Sequence, residues 1–174
     1  MAASSDAGPL IWLGKCDILH LLRKLYPEVL IPEAVHEEAV SRGLEKGFED
    51  AKIIKKALEE GWIKVYKAST QFTDKVEAVE KRLDIELGSG EREAIALALE
   101  KKTATFLTND EDAYQTGKIL GLEPKGVLYL LLKGVKEQHH NKEKAKESLR
   151  KMLEEGFWLS PTIIHKFHEE LVKL

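Results

Sequence analysis

The stretch of sequence that decides the fold is Ala104-Thr105-Phe106-Leu107-Thr108-Asn109-Asp110-Glu111-Asp112. Its first four residues have the composition of a short buried strand, and three acids follow them closely. Asn109 is a residue type that caps helices, so a helix is expected from there to about residue 120. A helix over residues 90–101, with Ser89 as its N-cap, is expected before the strand. The stretch therefore predicts a helix–strand–helix unit with carboxylates at the carboxyl end of the strand.

The same alternation continues outward in both directions. Further strands are predicted at residues 2–5, 28–31, 62–66 and 123–125, and further helices at residues 9–15, 18–26, 32–42, 48–60, 72–83, 127–136, 142–155 and 161–173. The helix that begins at Pro32 is expected to stop at Gly43. Strands separated by helices of this length imply right-handed crossovers and a parallel sheet. Such sheets bind ligands beyond the carboxyl ends of their strands.

Length and composition describe one globular domain spanning residues 1–174. The chain is long enough for one hydrophobic core and short for two. Hydrophobic residues make up 43% and charged residues 33%, which is not the composition of a disordered protein. Lys and Glu are abundant whereas Asn, Gln and Cys are few, a pattern typical of heat-adapted proteins.

Charge and cysteine content limit the partners and the compartment. The formal net charge is −3. A nonspecific nucleic-acid binder is more often basic, so RNA binding would require a local basic surface. The single cysteine, Cys16, allows no disulfide and fits an intracellular protein. The sequence shows no signal peptide and no apolar run near the roughly 20 residues of a membrane helix, so a cytoplasmic, membrane-free protein is expected.

Four carboxylates occupy positions that a parallel sheet would bring to one edge. Asp6 follows the predicted first strand, and Asp110 follows the strand quoted above. Glu38 projects from the apolar stripe of the helix over residues 32–42. Glu91 begins the apolar stripe of the helix over residues 90–101. For Asp6, Glu91 and Asp110 the ordinary alternative is a role in the first turn of a helix. For Glu38 it is an ion pair with Arg42.

Taken together, the four acids point to a metal site. Unpaired carboxylates at one edge would repel one another and raise at least one pKa, and a divalent cation would remove that repulsion. Oxygen ligands alone suit Mg²⁺ or Mn²⁺ better than Zn²⁺. The sequence therefore predicts a Mg²⁺ or Mn²⁺ site formed by Asp6, Glu38, Glu91 and Asp110.

Six segments carry a resemblance to a known family. They are Ser5-Asp6-Ala7-Gly8-Pro9-Leu10-Ile11, Ile31-Pro32-Glu33-Ala34-Val35-His36-Glu37-Glu38, Gly90-Glu91-Arg92-Glu93-Ala94-Ile95-Ala96-Leu97-Ala98, Phe106-Leu107-Thr108-Asn109-Asp110, Gly126-Val127-Leu128 and Gly156-Phe157-Trp158-Leu159-Ser160-Pro161. In this order and spacing they resemble a PIN domain, in a PIN-like subgroup of unknown function related to VapC-type toxin ribonucleases. The resemblance covers nearly the whole chain, and only the part from about residue 48 to residue 87 is loosely matched.

The resemblance implies a three-layer α/β/α fold with a central, mainly parallel sheet of about four or five strands flanked by helices. It also implies metal-dependent hydrolysis of RNA phosphodiester bonds. The residues it assigns as catalytic acids and metal ligands are Asp6, Glu38, Glu91 and Asp110, with Asp112 as a candidate fifth ligand. Thr108 matches the hydroxyl residue that commonly precedes the last acid. Many relatives carry a hydroxyl residue directly after the first aspartate, where this chain has Ala7.

Three classes of function stay open at this point. The first is a metal-dependent ribonuclease, which as the toxin of a toxin–antitoxin pair would have an antitoxin protein as a partner. The second is a catalytically silent PIN-like domain that binds RNA or protein, although such a domain would be expected to lack one of the acids. The third is a phosphohydrolase of another doubly wound fold, which would usually carry an aspartate two residues after Asp6, where Gly8 stands.

Three other groups of residues could form binding sites or interfaces. The densest basic region comprises Lys133, Lys136, Lys142, Lys144, Lys146, Arg150 and Lys151. Acidic residues within it favour a solvated mixed-charge helix face over an RNA-binding surface. His165 and His168 lack a further metal ligand and are interpreted as surface residues, and Cys16 as a core residue. The helices from about residue 142 are expected to pack on the core or to form the interface of a homodimer.

Overall fold

The computed structural model describes residues 1–174 and has a five-stranded sheet at its centre. The strands are β1 Ala2–Ser5, β2 Glu28–Pro32, β3 Ile63–Tyr66, β4 Thr105–Leu107 and β5 Glu123–Lys125. They lie in the order β3-β2-β1-β4-β5, and every neighbouring pair is parallel. Ser4 of β1 lies opposite Leu30 of β2 and Phe106 of β4. The carboxyl end of β1 is therefore the middle of the edge where such sheets bind ligands.

Helices connect the strands and flank the sheet. They are α1 Ala7–Lys15, α2 Leu19–Leu25, α3 Glu33–His36, a π-helical turn Glu37–Ser41, α4 Arg42–Glu45, α5 Glu49–Glu59, α6 Thr70–Leu83, α7 Ser89–Lys101, α8 Glu111–Ile119, α9 Val127–Lys136, α10 Lys142–Glu154 and α11 Pro161–Lys173. The predicted α/β architecture with a parallel sheet is confirmed, and the sheet has five strands. No helix combines the length and the hydrophobicity that crossing a membrane requires.

The central strand is built from small residues because it is enclosed on all sides. Ala3, Ser4 and Ser5 are fully buried, and β1 pairs with a neighbour along each edge. The Ser4 hydroxyl donates a 2.7 Å hydrogen bond to the carbonyl of Ala94 in α7, a helix whose inward alanines include the buried Ala98. Small side chains on both elements let the helix approach the strand closely. A composition that is weak for an exposed strand is therefore suitable for this central one.

Two apolar clusters pack against the sheet. The larger one joins β1, β2, α1, α2 and α9, and includes Met152 of α10 and Phe167 of α11. The smaller one contains Val76 of α6, Ile95 of α7 and Phe106 of β4. Both C-terminal helices thus bury one face against the larger cluster. Burial of apolar area is the main stabilising contribution to such an arrangement.

The helix predicted to stop at Gly43 continues past it, so that boundary was wrong. Residues 33–45 are helical throughout, and the chain turns at Gly47, whose φ is +73°. Gly43 is buried where the helix contacts α5, and a Cβ placed on it would lie 2.6 Å from the Cβ of Ala51. This glycine therefore allows two helices to approach closely, and Gly47 provides the left-handed terminus.

Two predicted helix caps were also wrong. The N-cap of α7 is Gly88, and Ser89 is the first residue of the helix. The N-cap of α8 is Asp110, whose Oδ1 accepts a 2.8 Å hydrogen bond from the backbone N–H of Ala113. Asn109 instead accepts a 2.9 Å hydrogen bond from the N–H of Val127 through its side-chain oxygen. In both places two adjacent residues are of types that cap helices, so the sequence alone does not distinguish them.

Substitution Gly43→Ala should destabilise the protein. The added methyl overlaps the Ala51 side chain, which costs about 1–3 kcal/mol and outweighs the gain of up to about 1 kcal/mol that alanine brings to a helix interior. Equilibrium denaturation in urea should show a lower free energy of unfolding for the variant. The double variant Gly43→Ala with Ala51→Gly should recover most of the loss, and no recovery would contradict the proposed close contact.

Candidate functional site

Asp6 lies at the centre of the ligand-binding edge, directly after β1. Its backbone N–H donates to the Leu107 carbonyl at 3.0 Å, which extends the β1–β4 ladder by one step. Its Oδ1 accepts a 3.1 Å hydrogen bond from the N–H of Gly8, so Asp6 also caps α1. The residue is only 4% exposed. The ordinary capping role and the placement at the functional edge therefore both hold for the same carboxylate.

The ionised form of the Asp6 carboxyl is energetically unfavourable. The pKa of Asp6 is raised from 3.8 to about 7, mainly by burial and also by the nearby charges of Glu91 and Asp110. The Thr108 hydroxyl and the Gly8 N–H lower the pKa, but they offset only part of the effect of burial. No Lys, Arg or His nitrogen lies within 4.0 Å of this carboxylate. A buried carboxylate without a cation is costly, and such groups concentrate at functional sites.

Glu91 stands in the first turn of α7 and interacts with the same set of charges. Burial raises the pKa of Glu91, and the charges of Asp110 and Glu38 raise it further, whereas backbone N–H groups at Gly88 and Glu91 lower it. Its Oε2 would lie 2.5 Å from a Cβ placed on Gly88. Glycine at this position lets the carboxylate rest against the backbone, and a larger residue would require the flexible Glu91 side chain to shift.

A buried ion pair fixes the start of α7. Glu80 of α6 accepts hydrogen bonds from Arg92 at 2.7 Å and 2.9 Å and from the Leu87 N–H at 2.7 Å. The Arg92 guanidinium lowers the pKa of Glu80. These hydrogen bonds fix the position of the loop before α7 and of the backbone next to Glu91. The ion pair was not singled out from the sequence, because nothing in residues 80–92 marks the two as partners.

Glu38 is exposed and lies within the π-helical turn. Its Oε2 would be 3.4 Å from a Cβ placed on Gly90, and its charge raises the pKa of Glu91. The predicted alternative, an ion pair with Arg42, is not formed, because Arg42 lies 3.8 Å from Glu37 instead. Single π-helical turns are frequent at functional sites, and this one lies where Glu38 approaches α7.

The turn after β4 places the remaining candidates. Thr108 is buried, and its hydroxyl accepts a 3.0 Å hydrogen bond from the N–H of Asp110. Asp110 caps α8, and its charge acts on both Asp6 and Glu91. Asp112 is exposed in the first turn of α8 and is not among the main charges acting on Asp6 or Glu91. The turn thus places the charge of Asp110 close enough to act on two of the other acids.

Glycines surround the acids. A Cβ on Gly8 would lie 3.5 Å from Asp6 Oδ1, and one on Gly126 would lie 3.1 Å from the Asn109 side-chain oxygen. Gly88 and Gly90 lie beside the carboxylates of Glu91 and Glu38 in the same way, so four glycines border the functional side chains.

The acids are gathered but not assembled into a finished metal site. No group of three or more Asp, Glu, His or Cys side chains is close enough together to hold an ion as it stands. Their donor chemistry nonetheless fits a hard cation, since the neighbouring carboxylates of Asp6, Glu38, Glu91 and Asp110 form no salt bridge.

The other candidates have ordinary roles. Within the basic region, Lys133, Lys144, Lys146 and Arg150 lie within 4.0 Å of glutamates, as expected for a solvated mixed-charge face. His165 lies 3.4 Å from Glu169 on an exposed helix face. Cys16 is buried beside the Ser148 carbonyl.

Comparisons with known proteins agree with this geometry. The family model DUF3368, described as a PIN domain, matches residues 3–173. A comparison with curated proteins gives no significant match. Among solved structures, VapC20 of Mycobacterium tuberculosis, described as a Sarcin-Ricin loop cleaving toxin, is similar with a TM-score of 0.52 and 14% identity. That likeness covers 66% of this chain and 95% of VapC20.

Two further structures share the fold. VapBC-1 of nontypeable Haemophilus influenzae is similar with a TM-score of 0.54, and VapBC2 of Rickettsia felis, bound to a DNA fragment from the promoter, with a TM-score of 0.50. Each is 16% identical, and each match covers 72% of this chain and 98% of the other. At such identities the likeness concerns the fold. Because the family model spans nearly the whole chain, the protein belongs to the PIN domain family.

Proposed function

We propose that the protein is a metal-dependent ribonuclease whose Mg²⁺ or Mn²⁺ ion is held by Asp6, Glu38, Glu91 and Asp110. The observation that carries the proposal is the group of carboxylates at one sheet edge with no positive charge among them. Burial and the neighbouring charges raise the pKa of Asp6 to about 7. A divalent cation would compensate these charges, and all four residues offer the oxygen ligands that it prefers.

Each residue of the site has a role in this proposal. Bound metal would polarise the scissile phosphate and lower the pKa of a water molecule. Asp6 is the central ligand, held in place by the Gly8 N–H and the Thr108 hydroxyl. Glu91 is positioned by the Glu80–Arg92 pair at the start of α7. Glu38 lies on the solvent side, where a phosphate would enter. Asp112 stays a candidate fifth ligand, although its charge is not among the main ones acting on Asp6 or Glu91.

Cleavage of RNA should depend on metal and on these acids. Labelled single-stranded and structured RNAs should be cut with Mn²⁺ or Mg²⁺ and left intact in EDTA. Asp6→Asn should lower the rate at least about 100-fold, since removing residues that merely orient metal ligands costs about 10–100-fold. Glu38→Gln should also lower it.

Glu37→Gln is the matched control for Glu38→Gln, because the two residues are neighbours and Glu37 points to Arg42. Equal loss in both variants would indicate a general effect of charge. Cleavage that persists in purified Asp6→Asn would overturn the assignment of the site.

Without metal, Asp6→Asn should stabilise the folded protein at alkaline pH. The pKa of Asp6 is raised by folding, so the folded state binds more protons and stability falls as pH rises from about 4 to about 7. At pH 8 the variant should be more stable than the wild type by about 1–3 kcal/mol. This gain is smaller than the full free energy of the Asp6 pKa shift at 1.36 kcal/mol per pKa unit. Near pH 4 the difference should disappear.

Urea denaturation in EDTA at both pH values measures this difference. Asp74→Asn, which changes an exposed aspartate on α6, is the control and should show no such pH-dependent gain. A variant Asp6→Asn that is less stable than the wild type at pH 8 would contradict the buried, uncompensated charge.

The ribonuclease is proposed to act as the toxin of a toxin–antitoxin pair. The support is the fold shared with VapC20 and with the two VapBC structures. Expression of the wild-type chain in a bacterial host should then arrest growth, whereas Asp6→Asn should not. Normal growth at matched protein levels, with cleavage active in vitro, would favour a housekeeping nuclease instead.

A silent binding module is the second candidate, favoured by the lack of a preassembled metal site. It keeps the fold and binds RNA or protein without cleaving. It predicts that divalent ions bind no more tightly to the wild type than to Asp6→Asn, whereas the nuclease requires a clear difference.

A further inference from the structure

An aromatic groove opens directly beside the acidic cluster. It shares Thr108, Asn109 and Asp110 with the site and continues between the start of α9 and the segment that precedes α11. Its volume is about 310 Å³, at the lower end of the roughly 300–1,000 Å³ typical of ligand pockets. The aromatic residues that line it are Tyr114, Tyr129, Phe157 and Trp158.

Trp158 is held in the groove with most of its surface in water. It is 82% exposed, the most exposed large apolar side chain after Met1. Its neighbours Phe157 and Leu159 pack against the larger core, and the Phe157 ring lies 4.9 Å from the Trp12 ring. Anchoring on both sides directs the indole outward. A large aromatic ring on a fixed backbone offers a stacking surface at little cost in conformational entropy.

The segment around Trp158 is fixed at both ends. The Phe157 N–H donates to the Met152 carbonyl at 2.8 Å after Gly156 turns the chain with φ +95°. Ser160 caps α11 through the Ile163 N–H. The indole is therefore mounted on ordered backbone.

Two lysines border the groove without carboxylate partners. The Lys125 ammonium lies 4.9 Å from the centre of the Tyr129 ring, and the Lys118 ammonium lies 5.9 Å from that of Tyr114. Neither forms a salt bridge, whereas three of the six lysines of the basic region on α9 and α10 do. Glu111, which also lines the groove, accepts a 2.7 Å hydrogen bond from the Gln115 side-chain amide. The groove thus combines free cations with stacking surfaces, the two features that single-stranded nucleic acids require.

We propose that this groove is a nucleobase subsite, in which an unpaired base of the RNA substrate stacks on Trp158 while Lys118 and Lys125 contact flanking phosphates. The proposal rests on the proposed ribonuclease function and specifies its substrate. Continuity with Asp110 places the stacked base next to the phosphate that is cut. Bases inside a duplex have no free face to stack, so the subsite selects single strands and loops. The two lysines without carboxylate partners beside the aromatic rings favour an anionic ligand such as RNA over a protein segment.

Binding of a fluorescently labelled 12-nucleotide single-stranded RNA, measured by anisotropy in EDTA, tests the subsite without cleavage. Trp158→Ala should weaken binding about 5- to 150-fold, the effect of losing one stacked base. Trp158→Phe should retain most of the affinity. Phe48→Ala removes another exposed aromatic residue outside the groove and should leave binding unchanged. Lys125→Ala should reduce the salt dependence of binding.

Equal affinity of the wild type and Trp158→Ala for the single strand would overturn the subsite. The subsite would also be overturned if Trp158→Ala weakened binding of a duplex of the same sequence as much as binding of the single strand. A second copy of the chain on this face would appear in light scattering as a dimer that Trp158→Ala dissociates, with RNA binding unaffected, and this too would overturn it. Binding that depends on Trp158 while no metal supports cleavage would retain the subsite and reject the nuclease. If the wild type cleaves RNA but Trp158→Ala binds RNA as tightly as the wild type does, the nuclease is retained and the subsite is rejected.

Discussion

A carboxylate buried at the end of the central strand, with no cation beside it, is the constraint on which the rest of the structure depends. Asp6 cannot move away, because its N–H extends the ladder to Leu107 and its side chain caps α1. The nearby charges of Glu91 and Asp110 make its ionised form still less favourable. A fold that keeps such a charge in its centre gives up stability, which is typical of proteins whose functional sites are completed by a ligand.

Small residues make this concentration of charge physically possible. Ser4 and the alanines of α7 bring the helix close to β1, and Gly88 lets the Glu91 carboxylate rest against the backbone. The Glu80–Arg92 pair then fixes the loop from which Glu91 projects. The apolar clusters supply the stability, while the residues around the edge determine how closely the acids approach one another.

Much of this arrangement could be predicted from the sequence, since it follows from topology. Once strands and helices alternate, the sheet is parallel and its carboxyl edge collects Asp6, Glu91 and Asp110. The first strand has little sequence signal of its own, because Ala3 and Ser4 are small for reasons that only their contact with α7 reveals. Local periodicity also cannot tell that Gly43 lies at a helix crossing or that Asp110, next to Asn109, provides the cap. The exposure of Trp158 depends on where Phe157 and Leu159 find partners far away in the chain.

Titration of the wild-type protein with Mn²⁺ in a calorimeter tests the central claim most directly. The account predicts saturable binding at pH 7 with release of a fraction of a proton, because the carboxylates must be ionised to hold the metal. Both the binding and the proton release should be lost in Asp6→Asn. Binding of equal strength in the two proteins, or no saturable binding in the wild type, would contradict the claim that these acids share a cation.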